Sequence, residues 1–112
     1  MHRKLIVIVV GFVILTGCGH VTGNQDFKQE INHVEQYLLD EDWETLTVQL
    51  DHFQRVYKKH QWKVQLIGDE GEYERLHESI NRLRAAVDTK EAKDARIELA
   101  TIKSILEDIY SL

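Results

Sequence analysis

Apolar residues recur every three or four positions along most of this 112-residue chain, in four separate series. Phe27, Ile31, Val34 and Leu38 form the first. Trp43, Leu46, Leu50, Phe53, Tyr57 and His60 form the second, and Val64 and Ile67 continue it. Tyr73, Leu76, Ile80, Leu83 and Val87 make the third, and Ala92, Ala95, Leu99, Ile102, Leu106 and Ile109 the fourth. Such spacing lines one face of a helix with apolar side chains, and a helix of this kind must bury that face against others. The series predict helices over 24–39, 43–67, 72–87 and 90–110. The chain contains no proline to interrupt them. Connections as short as Asp40-Glu41-Asp42 and Asp88-Thr89 force neighbouring helices antiparallel. Gly68 and Gly71 punctuate the middle connection. Asp88 and Glu91 have capping-box spacing. The expected fold is all-α, an antiparallel up-down four-helix bundle built from two helical hairpins over residues 24–112.

The hairpins share a register. A shift of forty-nine residues carries Phe27 to Leu76, Ile31-Asn32 to Ile80-Asn81, Trp43 to Ala92, Leu50 to Leu99 and His60 to Ile109. Any bundle of equal helices would give a similar match, and a duplicated hairpin would too; both lead to the same fold. Trp43 opposite Ala92 in this register suggests large-against-small packing of the halves.

The first 23 residues are of another kind. Arg3 and Lys4 precede an apolar run, Leu5 to Leu15, interrupted only by Gly11, and Leu15-Thr16-Gly17-Cys18 ends it with small residues before the sole cysteine. This run of about 11 residues falls short of the ~20 that a bilayer-spanning helix needs. The segment resembles a bacterial lipoprotein signal peptide with its lipobox. That resemblance implies cleavage before Cys18, a diacylglyceryl thioether on its sulfur, and a mature protein on the outer face of the cell membrane. Residues 1–17 would be the signal peptide and residues 18–23 the lipidated cysteine and linker. A retained membrane helix would give the same topology, since the cations stay inside. A single cysteine allows no disulfide within one chain, so the core must come from packing. Loss of Arg3 and Lys4 would make the remainder more acidic than the whole chain's net −5, which argues against nucleic acid as a partner.

The mature part also carries a wider likeness. A helix start at Glu41-Asp42-Trp43, an aromatic at Tyr57, the junction Ile67-Gly68-Asp69-Glu70, and Ser79-Ile80 followed by Arg82-Leu83 together resemble a family of small exported bacterial proteins, the domain of unknown function family 4363. The resemblance implies a Gram-positive, exofacial, helical protein. The family pattern places a His in the acidic junction where this chain has Glu70.

Catalytic motifs are lacking: no Gly-x-Ser-x-Gly, no His-Glu-x-x-His and no phosphate-binding glycine loop occurs. His33, His52, His60 and His77 are never three or four residues apart, so no single helix offers a metal pair. His60 lies on the apolar stripe and reads as a packed or hydrogen-bonded core histidine near a bundle end. Asp40, Glu41, Asp42 and Glu44 sit where a helix N-terminus favours negative charge. No cofactor or metal is expected, and no enzymatic activity.

One surface stands out. At 100° per residue, Trp62 points away from the apolar stripe of the second helix, and Arg55, Lys58, Lys59 and Leu66 lie within about 60° of it. Residues 52–68 contain no acid. If the first helix leaves the membrane, the second returns, and Trp62 stands at headgroup level, where tryptophan and cations are favoured. Arg55, Lys58, Lys59, Trp62 and Lys63 are therefore the expected interaction surface, toward a membrane-protein partner, anionic lipid headgroups or a second copy. Cations near a helix C-terminus also offset the dipole, and a tryptophan can lie flat on a neighbour. The sequence thus points to an anchored, non-catalytic interaction module. The alternative is a small ligand- or metal-binding domain on the cell surface, which would need a pocket.

Overall fold

The computed structural model describes residues 23–110. Cys18, Leu15, Thr16, Gly17 and the rest of the expected signal segment lie outside the described residues.

Four helices follow one another: α1 Asn24–Leu39, α2 Trp43–Ile67, α3 Glu70–Asp88 and α4 Ala92–Tyr110. Each packs on two neighbours, α1 and α3 both lying between α2 and α4. The closest approaches are within the hairpins, α1 on α2 and α3 on α4, with a lesser contact across the α2–α4 diagonal. This is the up-down bundle expected from the stripes. The apolar positions of all four series converge on one core. Val34, Leu46, Leu50, Val64, Leu76, Leu83, Ala95, Ile102 and Ile109 are fully enclosed. Each large aliphatic so buried contributes about 1.5–3 kcal/mol.

The helix ends follow from local chemistry. The Asp42 side chain accepts a hydrogen bond from the Thr45 backbone N–H at 3.3 Å and caps α2. A reciprocal capping box opens α3: the Asp69 carboxylate accepts from Glu72 N–H at 2.7 Å, and Glu72 accepts from Asp69 N–H at 3.1 Å. This box starts α3 at Glu70, two residues before the expected position. The predicted box at Asp88–Glu91 does not form. Asp88 is the last residue of α3, and α4 begins only at Ala92, after a full turn.

The two hairpin turns are built alike. After α1, Glu41 N–H donates to Leu38 C=O and Asp42 N–H to Tyr37 C=O, at 3.1 and 3.2 Å. After α3, Lys90 N–H donates to Val87 C=O and Glu91 N–H to Ala86 C=O, at 3.1 and 2.8 Å. These are paired Schellman closures, with Glu41 (φ 50°) and Lys90 (φ 56°) in the left-handed position usually held by glycine. Every donor and acceptor of one turn maps on the other by the forty-nine-residue shift. The register extends to buried polar contacts. Gln49 Nε2 donates to Glu30 Oε2 at 2.6 Å between α1 and α2, and Ser79 Oγ donates to Glu98 Oε2 at 2.7 Å between α3 and α4. Glu30 maps on Ser79, and Gln49 on Glu98. In the second pair the donor and acceptor roles are reversed, so the two hairpins share positions but not the same polar chemistry.

Candidate functional site

The chain enters the bundle at Gly23, whose carbonyl accepts the Phe27 N–H at 3.0 Å and starts α1. Gly23 has φ +79°, a conformation that disfavours side chains, and a Cβ there would stand 2.7 Å from the His60 ring. The bare backbone lies directly on that imidazole. His60 is 1% exposed. Its Nε2 lies 2.9 Å from Asp26 Oδ2, and Lys63 Nζ lies 3.4 Å from its Nδ1. An ammonium can only donate, so Nδ1 accepts and Nε2–H donates to Asp26. His60 thus spans Lys63 and Asp26, and ties α2 to the first turn of α1.

Phe27 is the hub beside it. Its ring meets His60 edge-on at 5.8 Å and faces Phe53, Tyr57 and Tyr110 at 6.2–6.5 Å. Tyr57 continues to His77, which stacks on Tyr73. Aromatic and imidazole rings from all four helices therefore join at the end where the chain enters.

Trp62 lies two residues beyond His60 on the opposite side of α2. It is 58% exposed, and Leu66, one turn on, is 75% exposed. Arg55, Lys58 and Lys59 are exposed around them. Lys63 is half-buried, its ammonium 5.5 Å from the Trp62 ring centre. None of these four cations forms an ion pair with a carboxylate among the described residues. The structure thus brings Arg55, Lys58, Lys59 and Trp62 to one open face, with Lys63 between that face and buried His60. Lys58 also borders a furrow of about 220 Å³ between α2 and α3, lined by Tyr57, Gln61, His77 and Asn81.

Several buried polar groups escape a reading of apolar stripes. Glu30 is 6% exposed and is held by Gln49 and by His52, whose Nδ1 lies 2.7 Å from Glu30 Oε1. Ser79 is fully buried and bonds to Glu98, which also meets Arg82 at 3.0 Å. Arg84 reaches Asp51 and Gln54 across the α2–α3 seam. The sequence signal for the first two was present: each sits one position from a core residue, in register with the other. The Tyr57 hydroxyl is buried and has no hydrogen-bond partner among the described residues. Burial, reinforced by the neighbouring Tyr73 hydroxyl, makes it a much weaker acid than an ordinary phenol, with its pKa pushed well up. No group of three or more His, Cys, Asp or Glu able to hold a metal ion occurs among the described residues.

No described helix is long and apolar enough to cross a membrane. No curated protein and no solved structure matches the chain. The family described as Domain of unknown function (DUF4363) matches residues 21–112. The match spans the whole bundle, and the chain belongs to that family.

Proposed function

We propose that this family member is a lipid-anchored module on the outer face of the bacterial membrane, and that it acts by contact rather than by catalysis. In this reading Cys18 carries the lipid and residues 18–23 form a short tether. The working surface is Trp62 with Arg55, Lys58, Lys59 and Lys63. The observation that carries the reading is the exposure of Trp62 and Leu66 inside a rim of cations that form no ion pair with a carboxylate among the described residues, at the bundle end where the chain enters. A tether attached at Gly23 would hold that end near the bilayer. There an amphipathic aromatic sits well between headgroups, and each cation near an anionic leaflet adds about 1 kcal/mol. A membrane-protein partner would use the same anchor residue and rim.

Two measurements test it. Intact mass should show a mature protein beginning at lipid-modified Cys18, and Cys18→Ser should accumulate the full precursor. A membrane-bound wild type that keeps Met1 and bears no lipid overturns the anchor. Trp62→Ala should leave thermal stability almost unchanged while weakening binding to anionic vesicles or recovery of a partner from native membranes. Loss of several kcal/mol of stability with every association intact would make Trp62 a packing residue.

A further inference from the structure

The seams within each hairpin are closed by their turns. The α1–α4 seam has no turn across it, and it is open. At the end where the chain enters it forms a groove of about 420 Å³. Phe27, Ile31, Leu106 and Tyr110 give it an apolar floor, and Lys28 and Lys103 stand at its rim. Both lysines are exposed, and neither makes an ion pair among the described residues. Glu107 is the one acid on the lining, against these two cations. An apolar trough with few polar groups at its edge is the usual form of a small-molecule site, and its size falls within the common range of roughly 300–1,000 Å³.

We propose that this groove binds a fatty acid, its acyl chain along Phe27, Ile31, Leu106 and Tyr110 and its carboxylate met by Lys28 and Lys103. Two features select this occupant. The paired cations complement a single anionic head. The groove opens at the same end as Gly23, so under the anchoring reading above it faces the leaflet from which a free fatty acid would come. Only the source of the ligand rests on that reading. The trough itself lies on a different face from Trp62.

The test uses the full-length chain in its own bacterial membranes. A photoreactive fatty acid of palmitate length is added, the membranes are irradiated, and the labelled peptides are mapped. Label within residues 24–32 and 103–110 is expected. Lys28→Glu and Lys103→Glu, both at exposed positions, should each lower it about fivefold. Ile31→Trp, which fills the floor, should lower it further. Trp62→Ala should leave it unchanged, and groove labelling that survives Cys18→Ser supports the site independently of the anchor. Label confined to other segments, or indifferent to both charge reversals, overturns the proposal. So does labelling of the groove by a photoreactive lysophospholipid but not by the fatty acid.

Discussion

Glu41 and Lys90 hold the same left-handed backbone conformation at equivalent points of two hairpin turns, with φ of 50° and 56°. Neither is glycine, although the Schellman closure around each is complete. A side chain in this region costs about 1 kcal/mol. Glu41→Gly and Lys90→Gly should therefore each stabilise the bundle by up to about 1 kcal/mol. In a domain of this size, 1 kcal/mol is a rise of roughly 4–8 °C in Tm. Thermal unfolding by circular dichroism measures this, and a fall in Tm for both variants would contradict the turn geometry.

Gly23→Ala should act in the opposite direction. The new Cβ would strain a left-handed residue and drive into a buried imidazole 2.7 Å away. A loss of about 2 kcal/mol is expected, from strain together with displaced packing. The cost should shrink in a His60→Ala background, where the ring is gone. A double-mutant cycle with no coupling between the two positions would show that Gly23 does not rest on His60 in solution.

The core predictions rest on full enclosure. Leu50 and Ile102 are both 0% exposed. Truncation of either to alanine should cost about 2–5 kcal/mol, read as a shift of the urea midpoint at unchanged slope. Tolerance of both changes would refute the packing of α2 and α4 onto one core.

Tyr57 gives a prediction of reversed sign. Its buried hydroxyl has no hydrogen-bond partner among the described residues, so Tyr57→Phe should be neutral or stabilising by about 1 kcal/mol. Its ionisation also links stability to alkaline pH. Burial pushes the Tyr110 phenol from 10.0 up to about 12, and Tyr57 is raised as well. Above pH 10 the unfolded chain would lose these protons while the folded chain keeps them. The stabilisation is thus complete below pH 10 and declines as pH rises from 10 towards 12. Tm measured across that window should fall less steeply in Tyr57→Phe and Tyr110→Phe. Identical slopes in wild type and both variants would place these phenols in solvent.

What the stripes could reveal was the set of helices and their inward faces, because burial of Leu50 or Ile102 leaves a period in the sequence. They also placed His60 in the core. They could not reveal Asp26 as its partner, since a carboxylate on the margin of α1 looks like any solvated one. The start of α3 was hidden because its first turn is polar, and only the Asp69–Glu72 box defines it. The gaps between stripes placed the two hairpin turns, but their Schellman closure was hidden because glycine, its usual mark, is absent from them. The outward direction of Trp62 followed from helix geometry alone. The α1–α4 groove left no trace, because it depends on how far apart two helices stand.

Phe27 and Tyr110, near the first and last of the described residues, bring their ring centres to 6.2 Å at one end of the bundle. The chain therefore leaves the domain beside the point where it enters. A short linker across that gap, with the chain opened between Gly68 and Asp69, would give a circular permutant in which the second hairpin precedes the first. Both Schellman turns, the Glu30–Gln49 and Ser79–Glu98 bonds, and the seams between the halves would be kept. The bundle is in this sense a closed loop of two interchangeable halves, cut open at one place by the position of its N-terminus.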